Sequence, residues 1–432
     1  MMTQPTSEID QFHKWLEGSY EQIAKDALEK IRAKAWDHFL ELGLPTRKNE
    51  EFRYVKLRNL YERAFSLPKQ VEVTSIDRYL LPECKDSRIV FVNGFFQPKL
   101  SHLPGKTVLA PMTEAMKTYG SFLNNQWAKT IKEETDPFAA LNAALHREGA
   151  FLYLPPKTVL EKPVQVLYLY DPQGSATLFQ PRLQLFAGVH SQIALCTTQA
   201  FLSEGHSLIN TVSDLFLDEE AHVRFIQSTI DEPAESWHFD ATRGHLKRNS
   251  TLQTVSATKG GTSIRYDYRI SLSGENAEAM LNGLWMLNGK DEAHSHVLMD
   301  HQAPHCRSLQ LFKGVLNDTS HSSFEGKILV RQAAQKTDAF QLNNNLLLSD
   351  RATADSKPNL EIFADDVKAS HGATVGQLDS EQLFYMQTRG FAEDQAKNFL
   401  VQGFCDEIID KVGLPSLKSA ISKHASSFLT KR

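Results

Sequence analysis

The chain contains no apolar run approaching the ~20 residues that a membrane-spanning helix needs, so nothing in it reads as a helical span. Cysteine is scarce as well. Cys84, Cys196, Cys306 and Cys405 are scattered singly, without a CxxC pair, which removes a metal knuckle and a dithiol redox motif from consideration. Each is expected as a reduced, partly buried small side chain. Neither sign of charge dominates, since 47 Lys plus Arg face 52 Asp plus Glu for a net charge of -5. That balance supplies no global attraction for nucleic acid or an anionic membrane. The motifs GxGxxG, GxxxxGKS/T and GxSxG are absent, which disfavours a self-contained nucleotide enzyme or a serine hydrolase. The opening MMTQPTSEID lacks the basic and apolar pattern of a secretory signal and the Arg-rich character of a transit peptide, and a cytoplasmic protein is expected.

Across 432 residues there is room for two or three ordinary domains or one long repetitive one. Residues 7–42 read as helical: Ser7 and Asp10 match a capping box, and Phe12, Trp15, Leu16, Tyr20 and Ile23 recur at spacings of three and four. A second stripe runs through Leu28, Ile31, Ala35, Phe39 and Leu42 before Gly43 and Pro45 stop it. Residues 49–60 read as a docking segment for these helices. From 88 to 120 the pattern gives a short strand, IVFVNGFF, followed by loops, and residues 136–145 give a helix capped by Asp136.

Beyond Gly149 the period changes to two. Val164, Val166, Tyr168 and Tyr170 alternate, as do Ile264, Tyr266, Tyr268, Ile270 and Leu272. Residues 149–366 show short strands punctuated by Gly, Asn, Asp and Ser. The lack of a blade signature argues against a propeller, and of the two architectures left the β-helix stands slightly ahead of a large sandwich. After Val375 helical patterning returns, with Asp379 or Ser380 capping a helix that carries Leu383, Phe384 and Met386. A longer helix over 392–410 places Ala396, Phe399, Leu400, Phe404 and Ile408 on one stripe, and a last one runs from Leu417 toward Phe428.

Two local patterns bear on chemistry. In HSHVLMDHQAPHC, alternate residues of a strand share a face, so His294 and His296 could bind one metal while His301 points the other way; His305 and Cys306 follow. Polar side chains also stack in ladders between coils of a β-body without any ligand, and that reading is preferred here. The same discount applies to Asn343, Asn344 and Asn345, expected to bond neighbouring backbone in turns. The second pattern is His371, next to Gly372, which permits close approach of another backbone. An imidazole there could ligate iron or act as a hydrogen bonder at a helix boundary.

The segment FEGKILVRQAAQKTDAFQLNNNLLLS at residues 324–349, with KPNLEIFADDVKASHGATVGQLDSEQLFYMQTRGF at 357–391, closely resembles the SufB/SufD family of iron-sulfur cluster assembly proteins. Weaker similarity extends to DPFAALNAAL, to RSLQLFKGVL and to PTRKNEEFRY, so it covers most of the chain. HGATVG and the modest length resemble the SufD type; the SufB type reads HEAT there and is longer. The resemblance implies a mainly β protein: a right-handed parallel β-helix core over 149–370, flanked by N-terminal (1–148) and C-terminal (371–432) α-helical regions. It further implies a non-enzymatic scaffold subunit that pairs with a SufB paralogue and is gripped by the ATPase SufC. His371 matches the family histidine thought to help hold a transient iron-sulfur cluster or its iron, shared with SufB, with none bound by the isolated chain. The SufC-binding surface would include Phe384, Tyr385, Arg389 and Gly390. Some relatives carry a cysteine two positions before the histidine; here Ala369 stands, which shifts weight onto His371 and the partner. An unpaired β-helix edge would allow the isolated chain to associate with a second copy as a homodimer when the paralogue is missing, a question the sequence leaves open. The competing classes are a β-helix carbohydrate-active enzyme, which needs an exposed basic groove, and a metal-binding protein using residues 294–305.

Overall fold

Ser7 opens the first helix with the reciprocal bonds expected of a capping box: its hydroxyl accepts from Asp10 N at 3.3 Å, and its own N–H donates to the Asp10 carboxylate at 3.2 Å. Helices Glu8–Glu21 and Glu29–Leu42 follow, burying Phe12 and Leu16 on one and Ile31, Trp36 and Phe39 on the other. Tyr20 stacks flat on Trp36 at 4.6 Å, and Gly43, at φ 69°, ends the second helix where a side chain would be strained. The computed structural model describes residues 7–23, 25–231, 233 and 235–429.

One element departs from the sequence expectation. Residues 112–133, read as loop in part, form the helix Met112–Glu133, burying Met112, Ala115, Met116, Leu123, Trp127 and Ile131. Two things hide it: Pro111 stands where a capping side chain would, and non-helical backbone at Tyr119 shifts the apolar stripe part-way along. The next helix, Pro137–Leu145, is capped as expected, with Asp136 accepting from Phe138 N and Ala139 N at 2.8 and 3.2 Å.

The body is a parallel β-helix. Successive strands alternate between two ten-stranded sheets, so each coil adds one strand to each. Pairing is parallel except at the start, where Arg88–Val92 turns back on Phe95–Phe96 and Val108–Pro111 pairs with Ala150–Leu154. The first sheet ends with Glu278–Leu287, Arg307–Leu316, Asp338–Leu347 and Lys368–Gly376; the second ends with Ser263–Leu272, Glu292–His301, His321–Val330 and Thr353–Ile362. The period-two pattern thus divides each strand between an interior row and an outer row. At one corner His190, Glu220, Asn249, Asn276, His305 and Lys336 all adopt φ between 56° and 62°, and each N–H donates to a carbonyl of the next coil at 2.6–3.2 Å. His305 of the histidine-rich motif is therefore a corner residue.

Interior rows are mostly apolar. Phe312, fully buried between Tyr268, Trp285 and Phe324, contributes on the order of 1.5–3 kcal/mol by leaving water. Gly314 leaves the room that Trp285 fills, since a Cβ there would lie 2.0 Å from Trp285 Nε1. The outer faces are covered differently. The N-terminal helices pack on Phe151, Phe186, Leu208, Trp237 and Phe239 of the second sheet, and the C-terminal helices on Ile226, Val255, Leu284, Leu311 and Val315 of the first.

The interior also holds a carboxyl group. Asp240 accepts from Gln227 Nε2 at 2.9 Å, and burial pushes its carboxyl up to about 6 against the opposing pull of His238, Gln227 and Arg243. Between the ordinary value of 3.8 and about 6 the folded chain holds a proton that the unfolded chain has released, so this group's contribution falls as pH rises through that window. Asp240→Asn, which mimics the neutral acid, is expected to gain ~1–3 kcal/mol at pH 8 and little at pH 4. Thermal midpoints at the two pH values check this; an equal effect at both would overturn it.

Candidate functional site

The β-helix stops without a cap on its last coil. Thr353–Ile362 and Lys368–Gly376 are the terminal strands of the two sheets, so each has one backbone edge with no sheet partner. Exposed edges of this kind invite another strand. His371 lies in the middle of Lys368–Gly376, which runs past the boundary at 370 read from sequence; it is a strand residue, not a helix-boundary one.

Register fixes what His371 stands beside. It pairs with Gln341, which pairs with Gln310, and Gln341 Nε2 donates to Gln310 Oε1 at 3.0 Å. Gln310 and Gln341 are fully buried, whereas His371 is exposed. Ala369, on the same side of the strand as His371, packs on the interior core, so the histidine continues the interior row where that row opens to solvent. Gly326, on the facing sheet, gives Gln341 its space: a Cβ there would lie 1.7 Å from the Gln341 amide nitrogen. Asn343 and Asn345 belong to the same polar row, inside a strand and not in a turn. Asn343 donates to Phe312 O at 3.2 Å, and Asn345 to the Asn343 side chain at 2.8 Å. The four cysteines are all buried. Cys84 and Cys196 lie 4.0 Å apart beneath the C-terminal helices, Cys405 packs in the same cluster, and Cys306 donates to Gly274 O at 3.2 Å. The uncapped edge therefore presents an imidazole and no thiol.

Beyond that edge, Asp379 caps the helix Ser380–Thr388, which buries none of its residues. Phe384 is 67 % exposed and Tyr385 57 % exposed. Arg389, at the helix end, donates to the Tyr385 hydroxyl at 3.0 Å and lies over its ring, and Gly390 turns the chain at φ 91°. In the next helix, Glu393–Ile409, the buried residues are Ala396, Val401, Cys405, Ile408 and Ile409. The stripe expected from sequence placed Phe399 among them; it is 56 % exposed and meets Phe391 at 5.3 Å instead. Lys313 anchors this helix to the sheet by donating to Phe404 O at 3.0 Å.

Two family models match this chain: the "SUF system FeS cluster assembly, SufBD core domain" over residues 170–404 and the "SufBD protein N-terminal region" over 5–166. The chain belongs to the SufBD family. It is 30 % identical over 413 residues to the iron-sulfur cluster assembly SufBD family protein slr0076 of Synechocystis sp., covering 91 % of this chain and 90 % of that one. Against the iron-sulfur cluster assembly protein SufD of Escherichia coli (strain K12) it is 27 % identical, covering 96 % and 95 %. The iron-sulfur cluster assembly protein SufB of Bacillus subtilis (strain 168) is 24 % identical, with 87 % and 84 % covered. The match to the SufBD family spans both the helical N-terminal region and the β-helix, and the chain is SufD-like.

The other histidines of this SufBD protein separate according to strand face. His301 points inward and lies 2.9 Å from Ser308 Oγ, opposite to His294 and His296 as alternation requires. His294 and His296 share the outer face but not their partners: His296 Nδ1 lies 2.7 Å from the Asp267 carboxylate, and His294 turns to Ser323 and Glu292. A cleft of about 820 Å³ runs between the helix Met112–Glu133 and the second sheet. Its arginines are already engaged: Arg182 by Asp214 at 2.7 Å, Arg243 by Glu134 at 2.8 Å, Arg269 by Asp267 at 3.2 Å and Arg331 by Asp300 at 3.0 Å. A free basic row, as a polyanion-cleaving β-helix would need, is not formed there. Among the described residues no helix is long and apolar enough to cross a membrane.

Proposed function

We propose that this SufBD protein is a SufD-type scaffold subunit. Its uncapped last coil pairs with a SufB-type paralogue, its exposed C-terminal helix surface is held by a SufC-type ATPase, and His371 contributes one donor to an iron-sulfur site shared across the pairing edge. The observation that carries this reading is the position of His371: an exposed imidazole, opening from an otherwise buried row, on a strand whose far edge has no partner. A single nitrogen completing a partner's thiolate set would hold a cluster weakly enough to give it away. ATP hydrolysis would belong to the ATPase, and movement of Ser380–Thr388 would carry it to the edge. Without the paralogue, the same edge closes on a second copy of the chain.

The test is co-purification with the candidate paralogue and ATPase, wild type beside His371→Ala, followed by anaerobic reconstitution and assay of iron and acid-labile sulfide. The expected result is a three-component complex in both cases with a cluster only in the wild type. A complex in which His371→Ala retains its cluster would remove His371 from the site, and failure to form the complex would overturn the reading as a whole.

A further inference from the structure

On the outer face of the second sheet, away from the strand of His371, a second histidine site is built from two neighbouring strands. Glu292 and His294 are alternate residues of Glu292–His301 and point to one side; His321, the first residue of the adjacent strand, is in direct register with Glu292. One ligating atom from each of the three lies within 4.8 Å of those from the other two. Glu292 and His294 are 2 % and 3 % exposed, and the His321 side chain 14 %.

We propose that Glu292, His294 and His321 bind one divalent transition-metal ion, zinc or ferrous iron, through two imidazoles and a carboxylate. The supporting groups are already in place. Ser323 Oγ lies 2.7 Å from His294 Nδ1, leaving Nε2, 3.4 Å from the Glu292 carboxylate, to bind. Asp355 holds His321 Nε2 at 2.8 Å, the carboxylate–imidazole arrangement that fixes a metal-bound ring. That leaves His321 Nδ1, which is buried and has no hydrogen-bond partner. A buried nitrogen without a partner carries a desolvation cost of roughly 1–3 kcal/mol that a metal bond would relieve. The site also already draws a cation, because the Lys56 ammonium sits on the Glu292 carboxylate. Lys56 is 59 % exposed and can swing into water when a stronger cation arrives.

Ligands at about 2.0–2.1 Å from a tetrahedral metal stand roughly 3.3 Å apart. Glu292 and His294, at 3.4 Å, already have that spacing, and His321, within 4.8 Å of both, needs only a small side-chain adjustment to join them. Two histidines and one carboxylate leave a position open for water or an outside donor, a set that suits zinc and ferrous iron alike.

The experiment uses the full-length chain stripped with chelator, titrated with zinc by calorimetry and, anaerobically, with ferrous iron followed by gel filtration and metal analysis. The expected result is one tight equivalent in the wild type, weakened at least 100-fold in His321→Ala and in the isosteric Glu292→Gln, and unchanged in His222→Ala, an exposed histidine elsewhere. Near-UV circular dichroism of Glu292→Gln guards against misfolding. Lys56→Met, which frees the carboxylate, is expected to bind several-fold more tightly. Uptake of zinc alone or of iron alone would support the site and name its metal. A wild type without a tight equivalent for either ion, or variants that bind as it does, would overturn the proposal.

Discussion

Asp267→Asn is expected to lose ~3–5 kcal/mol of stability, the range for removing one partner of a buried ionic group. Asp267 lies on the outer face of Ser263–Leu272, covered by the N-terminal region, and four cationic or imidazole groups converge on it. Arg243 Nη1 is 2.6 Å away, His296 Nδ1 2.7 Å, Arg265 Nη2 2.9 Å and Arg269 Nε 3.2 Å. Glu134 and Asp136, from the link between the two helices above, supply the remaining carboxylates to Arg243 and Arg265. Burial by itself would raise the Asp267 carboxyl; Arg243, then Arg269 and Arg265, outweigh it and hold it well below the ordinary range. Glu134 is treated likewise, with burial opposed by Arg243 and Arg269 until its carboxyl titrates at about 2.

The direction with pH follows from those depressed values. A carboxyl whose folded pKa lies below its unfolded one stabilises the fold above the unfolded value, and the contribution disappears as pH falls through the folded value. For Glu134 the window runs from 4.5 down to about 2. The wild type is therefore expected to keep this stabilisation at pH 5 and shed it toward pH 2, while Asp267→Asn loses the share of Asp267 but keeps that of Glu134, which stays paired with Arg243 and Arg269. Urea midpoints at pH 7 and near pH 2.5 measure both effects. A loss below 1 kcal/mol at pH 7 would show that the three guanidiniums find other partners or water, and would sink the argument.

Under the function proposed above, Phe384→Ala is expected to weaken binding of a SufC-type ATPase by about 30-fold, equivalent to a hot-spot loss of ~2 kcal/mol, without lowering thermal stability. An aromatic ring 67 % exposed on a helix that buries nothing makes few intramolecular contacts to lose. Its neighbours Tyr385 and Arg389 form a preorganised pair beside it, the composition that interfaces concentrate at their centre. Leu40→Ala, at an exposed apolar residue on an N-terminal helix, serves as the control. Calorimetric titration of the ATPase into each variant reads the difference, and a change of less than threefold for Phe384→Ala would move the docking surface elsewhere.

Much of the architecture was legible because local rules and global packing agree. Ser7 with Asp10 and Asp136 before Phe138 mark helix starts through their own hydrogen bonds, and the alternation from Val164 onward marks strands because one row faces a dry interior. The helix Met112–Glu133 escaped because its signals are broken at Pro111 and Tyr119. Phe399 was placed on the wrong stripe because a strip of apolar residues shows that a helix packs but not which side wins when both sides carry phenylalanine. His371 could be singled out by its neighbours in sequence, yet its place in a strand depends on a register that only the preceding coils set. The same limit hid the partners of His294. Strand spacing nominated His296, two residues away, whereas Glu292 shares its face and His321 arrives from the next coil. The charge cluster at Asp267 was invisible for a like reason: Arg243, Glu134 and His296 are brought together by stacking, and no spacing in the chain announces that.

The corner column of left-handed residues shows how little each coil knows of any but its neighbours. His190, Glu220, Asn249, Asn276, His305 and Lys336 each pass one hydrogen bond forward to the following coil. Such a stack behaves as a one-dimensional lattice with nearest-neighbour coupling, in which an end unit has one contact where an inner unit has two. The coil bearing His371 is that end unit. A partner strand laid along its edge would then act as the next term of the series: it would supply the missing coupling and turn an end coil into an inner one.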